Sequence, residues 1–422
     1  MAGFKAIIIG GGPVGLYLAH AFQASGIEYA LFEQHDAIPP ITSFGIFFWP
    51  QAIRLFHQLG LLDKLQSIGV SMEKTIHRLF DGTYLNKTTD YALLSKLHGY
   101  EMLLFDRGSF AQLLLDNLHD HQTRVKTGKR LNKIISNPDG VKVEFSDGSS
   151  QQESIVIGCD GIWSTVRQIM RRMVPKELFP ANPFTASYRG VFGRAPTLKG
   201  FKPGHLINIH GNGRDLQLVT SDKETHVITY EKIETTNEQR NFSEKGTEEY
   251  VTPLLDIPVA DGVVFGDLWK NRHAEGILGM WHWDRVVLVG DSAHKMMPHQ
   301  GTEANNGIES AASLTNNLAA LLRYRPEPKN HDLRRAFAAY QSEREGPASI
   351  WANMARFSLD RTTQNEGPFL DAVRVIDERI PPLVAASVRL NTILFENEKQ
   401  GTLPWSYKRD GRNPSKTPTP KL

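Results

Sequence analysis

The sequence has little of what marks several classes of protein. Among 422 residues there is one cysteine, Cys159, so no disulfide framework holds the chain and a reducing, cytoplasmic setting is expected. Acidic and basic residues nearly balance, 46 against 48, with the signs mixed, so nothing points to a nucleic acid partner. No apolar run reaches the roughly 20 residues that a membrane-spanning helix needs. The first residues lead straight into a strand-like run, which leaves no room for a signal peptide. There are no internal repeats, and no metal site is expected.

What is present begins at residue 5, KAIIIGGGPVG. Residues 6–9 are apolar and β-branched, which suits a strand buried on both faces. Gly10, Gly12 and Gly15 follow at GxGxxG spacing and lead into a helical run, residues 16–24. Gly10 permits the tight turn, Gly12 the approach of a pyrophosphate, and Gly15 the packing of helix on strand. The phosphates belong on the helix N-terminus, where N–H groups and the dipole favour anions. A second apolar run, 29–32, ends in Glu33, placed to hold a ribose hydroxyl. Strand, helix, strand and acid in that order predict a dinucleotide site in an α/β, Rossmann-type domain. The plainer reading is an ordinary glycine-rich turn.

Farther along, residues 50–65 predict one helix from the spacing of Ile53, Phe56, Leu59 and Leu62. Asp106 and Arg107 open another, with a carboxylate where the dipole prefers one. Residues 141–145 and 155–157 read as strands. From 180 to 275 helical periodicity fades. Strands at 187–192, 205–210, 216–220 and 226–230 predict a separate, mostly antiparallel sheet. Residues 285–289 read as a buried strand, and 305–322, 333–344, 350–361 and 372–380 as helices. The predicted division is a discontinuous nucleotide-binding domain (1–75, 100–175 and 280–345), an inserted substrate-binding sheet domain (76–99 and 176–279), a C-terminal helical segment (346–395) and a polar tail (396–422).

Two further motifs follow strands: GCDGIWSTVR at 158–167 and GDSAH at 290–294. With Gly10, Gly12 and Gly15, this set resembles the FAD-dependent monooxygenases of the aromatic-hydroxylase type, over about residues 1–361. A closer resemblance is to fungal FAD monooxygenases of terpenoid and indole-terpenoid biosynthesis, many of them epoxidases. It rests on HKMMP at 294–298, IESAASL at 308–314 and YRGVFG at 188–193. The resemblance implies an oxidoreductase that uses FAD, with NADH or NADPH as transient electron donor and molecular oxygen as co-substrate. The implied substrate is a small hydrophobic, polycyclic intermediate of secondary metabolism. It implies FAD contacts at Glu33, Arg107, Asp291 and Ala304, a place for Asp160 and Arg167 facing FAD and the nicotinamide donor, and Arg189 as an active-site residue.

Local chemistry supports parts of this. Arg107 opens a helix, where its fork can donate two hydrogen bonds to a phosphate or ribose oxygen. Asp291, an anion, suits a ribityl hydroxyl. His294 reads either as a structural residue or as a proton shuttle, and Cys159 as a small buried filler.

Three departures cluster where the flavin ring belongs. The relatives carry a GASIGLxPNG loop; here Ser43 and Phe47 replace two glycines. A Gln-Gly pair is replaced by Thr302 and Glu303. Phenylalanine occupies space that glycine leaves free for a close approach. A carboxylate about 5 Å from a flavin gaining negative charge opposes it by ~3 kcal/mol at an effective dielectric of about 20. Phe44, Phe47, Phe48, Trp49 and Trp269 are candidates to line an apolar pocket. A second reading therefore stays open: an isomerase or cyclase on the same fold, with FAD structural or lost, in which Glu303 or a histidine such as His294, His299 or His210 moves a proton. A third, a lipid-carrying escort, leaves the two later motifs without a purpose.

Overall fold

The computed structural model describes residues 3–38, 45–85, 91, 95, 98–179, 184–190, 192–197, 201–211, 213–236, 249–250, 252–260, 263–265, 276–363, 388 and 390. Ser43, Phe44, Trp269, the expected helix at 372–380 and the expected polar tail lie outside these.

In chain order, β1 (Lys5–Ile9), α1 (Pro13–Ala24) and β2 (Glu28–Phe32) form the opening unit. Next come β3 (Gly45–Phe48), α2 (Pro50–Gln58), α3 (Leu62–Ile68) and β4 (Lys74–Leu79). β5 (Leu103–Asp106) runs into α4 (Arg107–Asp116), and β6 (Val125–Lys126) follows. After a three-stranded meander come β7 (Ile155–Gly158) and α5 (Thr165–Met173). The inserted sheet supplies β8 (Ala186–Arg189), β9 (Phe192–Pro196), β10 (His205–Gly211), β11 (Arg214–Thr220) and β12 (Glu224–Thr236). β13 (His282–Trp283), β14 (Val286–Leu288), α6 (Glu303–Tyr324) and α7 (Asn330–Thr363) close the described chain.

The first sheet runs β13-β14-β7-β1-β2-β6 and is parallel except at β13. β1 is central, and Ala6, Ile7, Ile8 and Ile9 are all buried. A strand flanked by neighbours and covered on both faces must be apolar throughout, which is why alternation is absent there. Its carboxyl end opens onto the glycine turn, at the point where the chain crosses from β2 on one side to β7 on the other.

The expected helix at 50–65 is two helices. Gly60 at φ +72° ends α2: Gly60 N–H donates to His57 O at 2.9 Å and Leu61 N–H to Phe56 O at 3.1 Å. That paired pattern is a Schellman stop, and glycine supplies its left-handed residue. The opposite correction applies to 333–344 and 350–361. They form one helix, α7, which runs through Pro347 and across the expected boundary at 345/346. Proline removes one N–H and normally breaks a helix. Here packing on both sides of it prevails. Arg344 pairs with Glu309 of α6 at 2.8 Å with both buried, Tyr340 donates to Leu288 O at 3.0 Å, and Trp351 packs 6.2 Å from Trp49.

The inserted sheet runs β8-β12-β11-β10-β4 and ends on a short strand at Tyr84–Leu85; β9 also pairs with β12. It begins at Lys74, two residues before the expected boundary. All its pairings are antiparallel except β10 with β4. The expected strand at 187–192 falls on β8 and β9, which from Tyr188 onward pair with β12 in one continuous register, and Gly190 lies so close to β12 that a Cβ there would sit 2.0 Å from Thr229 O.

Side chains alternate across this sheet. Its outer face packs Ile207, Ile209, Leu216, Leu218 and Val227 under Tyr250, Leu254 and Phe265. Its inner face carries Asp215, Gln217 and Tyr230 and meets the nucleotide-binding half, where Gln217 Nε2 donates to His299 O at 2.8 Å. Among the described residues, no helix is long and apolar enough to cross a membrane.

Candidate functional site

The glycine turn assigns one task to each glycine. Gly10 lies at φ +109°, and a Cβ there would meet Cys159 O at 2.4 Å. A Cβ on Gly15 would meet Gly10 O at 2.0 Å, so α1 packs this tightly only on hydrogen. A Cβ on Gly12 would meet nothing within 4 Å. Gly12 is also the N-cap of α1, with no side-chain cap, and Pro13 follows it. Open space beside an uncapped helix start is an anion cradle, and it fits the pyrophosphate of FAD. At the end of β2, buried Glu33 accepts from Gly11 N–H at 2.7 Å and from His35 N–H at 3.0 Å. A carboxylate has about four acceptor sites, so capacity remains for ribose hydroxyls.

The two later motifs are clasped to each other. Asp160 accepts from Ser164 Oγ at 2.5 Å and Val166 N–H at 3.0 Å, so its carboxylate organises the first turn of α5; burial raises its pKa. Arg167 donates to Ser292 O at 3.1 Å and to Ile162 O, and its guanidinium lies 4.4 Å from the centre of the Phe184 ring. Burial lowers its pKa to about 10, which leaves it charged at neutral pH.

At the start of α6, Lys295 sits between two carboxylates, 3.1 Å from Asp291 and 3.3 Å from Glu303. Burial would lower the ammonium pKa, but Asp291 and Glu303 outweigh it and raise it. Glu303 is therefore ion-paired, but one ammonium shared by two carboxylates leaves the cluster net negative, so the electrostatic objection that its sequence position raised is reduced and not removed. Ala304 is half-buried against the main core. Phe47 is in β3 rather than a loop, paired with β5. Its ring packs against Gly301, where a Cβ would lie 3.0 Å from Phe47 Cβ. Its carbonyl accepts from Asn305 Nδ2 at 3.0 Å, and Trp49 Nε1 donates to Gln300 O at 3.0 Å. Beside these residues, both amide atoms of Gln51 and of Gln300, and Nδ1 of His299, are buried with no hydrogen-bond partner among the described residues. Each such group costs ~1–3 kcal/mol unless water or a polar ligand meets it. Sequence reasoning missed Lys295, Gln51 and Gln300; only their nearness to the glycine loop and to GDSAH signalled them.

Of the remaining candidates, Arg107 is exposed at the first position of α4, which Asp106 caps through Ser109 N–H at 2.8 Å. His294 is wholly buried, with Nε2 2.9 Å from Ser310 Oγ and its ring 5.1 Å from Trp281. Burial, then Arg344, lowers its pKa to about 4, so it is neutral at physiological pH and its contacts are structural. The unfolded histidine, near 6.5, takes its proton first. Stability is therefore full above about pH 6.5 and falls as the pH drops towards 4, by ~3 kcal/mol at the lower end. His20 and His98, also lowered to about 4 by burial, add slopes of the same sign. Urea midpoints between pH 7 and 4 should fall less steeply in His294→Gln than in the wild type.

Arg189 requires a correction. It pairs with Glu231, which Arg214 also holds at 2.8 Å, and its guanidinium lies 4.8 Å from the Tyr250 ring centre. These partners belong to the outer face of the inserted sheet, so the structure does not bring Arg189 to the side facing the cofactor cradle.

The sequence matches the family described as FAD binding domain over residues 4–348. It is 33% identical over 376 residues to the FAD-dependent monooxygenase srdH of Neurospora crassa, covering 82% of this chain and 84% of that protein. Its fold is shared with HpxO of Klebsiella pneumoniae, solved with FAD and uric acid (TM-score 0.66, 21% identity, 92% of this chain and 96% of that one). It is shared equally with the Diels-Alderase PyrE3 of pyrroindomycin biosynthesis (TM-score 0.66, 20% identity, 96% and 81%). With the glycine turn, Glu33 and the two clasped motifs all inside the matched span, the chain belongs to the FAD-binding-domain family, among its FAD-dependent monooxygenases.

Proposed function

We propose that this monooxygenase takes its electrons from NADH or NADPH and adds one oxygen atom, by hydroxylation or epoxidation, to a hydrophobic polycyclic intermediate such as a terpenoid. The observation that carries the reading is the open, uncapped turn at Gly12, with Glu33 on one side and the Asp291–Lys295–Glu303 cluster farther along the same half. FAD would be held by Gly10, Gly12, Gly15, Glu33, Arg107, Asp160, Asp291 and Ala304. When bound, it supplies the two-electron chemistry that activates oxygen. The chain's own part is to bind, to orient and to exclude water. Tyr188, Tyr230 and Met297 on the inner side of the sheet pack with Ala355 and Leu359 of α7 into a buried apolar cluster that braces this junction.

One observation favours the alternative, a non-redox isomerase or cyclase. Phe47 packs on Gly301, and its side chain fills space that a glycine at this position would leave open. The fold is neutral on this point, since it is shared with the FAD-complexed HpxO and with a Diels-Alderase. The purified protein, supplied with NADPH and a panel of polycyclic terpenoids, decides. The proposal expects the flavin to bleach anaerobically and, once air is admitted, a product heavier by one oxygen atom. Turnover under nitrogen without NADPH would transfer the protein to the second reading.

A further inference from the structure

The inner face of the inserted sheet buries a line of titratable side chains that the function above does not use. Asp215 on β11 is wholly buried. One of its carboxylate oxygens lies 2.8 Å from His299 Nε2, and the other lies 2.8 Å from His210 Nδ1. His210 Nε2 is 2.9 Å from Nδ1 of His77 on β4, and those two rings stack 5.2 Å apart. The His299 ring meets the Tyr230 ring edge-on at 5.4 Å, and its own carbonyl is held by Gln217.

Donor chemistry fixes the protons along this line. Burial would raise the Asp215 carboxyl, but His210 and His299 outweigh burial and hold it far below the usual carboxylate range. It is therefore ionised and only accepts. His299 donates its Nε2–H to one Asp215 oxygen, and His210 Nδ1 faces the other as an ion-pair contact. Burial, then His210, lowers His77 to about 3, so the far end of the line is neutral. With its proton on Nε2, the His299 imidazole keeps a lone pair on Nδ1. That atom is buried and has no hydrogen-bond partner among the described residues. An orphaned acceptor of this kind is costly unless a donor arrives from outside the chain. The residue lies between the GDSAH motif and the start of α6, where the inner face of the sheet meets the FAD-binding half.

We propose that His299, oriented by Asp215, is a proton acceptor at this junction of sheet and FAD-binding half, and that its substrate carries an acidic O–H or N–H, as in a phenol, an enol or an indole. In the step, the substrate O–H or N–H bond breaks and its proton forms Nδ1–H. The electron pair stays on the substrate heteroatom, and the imidazolium faces the Asp215 carboxylate. An oxygen-inserting reaction gains from the more electron-rich anion. The inference rests on the monooxygenase reading only for the fate of that anion. Asp215, His210 and His77 are positioning residues. The titratable groups around His299 are Asp215 on β11, His210 on β10, His77 on β4 and Tyr230 on β12, with Glu303 acting on the Tyr230 hydroxyl from the start of α6.

The test uses FAD-loaded protein and 4-nitrophenol, whose phenolate is coloured and whose neutral form is not. The probe is titrated in at a pH where free 4-nitrophenol is almost wholly neutral. Wild-type protein should raise the phenolate fraction at least fivefold. His299→Gln should abolish the rise, and Asp215→Asn, which loses the counter-charge, should reduce it several-fold. Histidine ¹⁵N spectra of the wild type give a readout that needs no variant: one Nε2–H imidazole gains a proton on Nδ1 as the probe binds. No phenolate rise with wild type, an equal rise with His299→Gln, or no histidine changing protonation would each overturn the proposal. Bleaching of the flavin by NADPH in the same sample reports separately on the monooxygenase reading, so either can fail alone.

Discussion

Gly12→Val yields a folded chain that no longer retains flavin. In the flavin-free protein the new side chain enters open space, since a Cβ at this position meets nothing within 4 Å and φ is an ordinary −73°. The structural cost is confined to the helix cap, where valine is a poorer residue than glycine by about 1 kcal/mol. The same space is where a pyrophosphate must approach the backbone. FAD affinity should fall about 100-fold, or ~2.7 kcal/mol, while the melting temperature measured without FAD stays near that of the wild type. Gly15→Val is the contrasting case. Its Cβ would lie 2.0 Å from Gly10 O, a backbone atom that cannot rotate away. Overpacking of this kind costs ~3 kcal/mol, so fold and flavin are lost together. Fluorescence titration with FAD and thermal melts of the flavin-free proteins separate the two outcomes. Equal FAD affinity in Gly12→Val and wild type would remove the cradle from the account.

Lys295→Met should destabilise the protein by about 3 kcal/mol, because it leaves the Asp291 and Glu303 carboxylates facing each other without a counter-charge. Adding Glu303→Gln should restore most of that loss, which a simple packing defect at position 295 would not allow. The single variant should also make bound flavin harder to reduce, since the uncovered carboxylates oppose added negative charge. Urea unfolding of the two single variants and the double variant gives the coupling directly. Additive losses would show that Lys295 and Glu303 do not act on each other.

What could be read from the sequence was what local chemistry determines. β1, the glycine turn, α1 and Glu33 are consecutive, and each residue's task follows from neighbours a few positions away. The Asp106 cap and the apolar run of β14 were legible for the same reason. What was not legible depends on partners distant in the chain. Phe47 became a strand residue because β5 pairs with β3. Glu303 was visible, but its ion-pair partner Lys295 was not, because their proximity is created by the turn at Gly301. Arg189 shows the limit most plainly. A side chain in a strand changes face with a one-residue shift, and β8 has such an irregularity between Ala186 and Tyr188. Motif position alone therefore could not tell the inner face from the outer one. The continuous α7 was hidden by Pro347, whose local preference is overruled by the packing of Arg344, Tyr340 and Trp351. The line from His299 to His77 draws on four separate segments and has no sequence signature.

The most direct test of the central claim is stoichiometric titration of the flavin-free chain with FAD, followed by absorbance and by flavin fluorescence. The account predicts saturation at one FAD per chain, with a resolved flavin spectrum, and weakening by Gly12→Val without loss of fold. A folded, colourless protein that takes up no FAD, with Phe47 and Gly301 closed on each other, would contradict it.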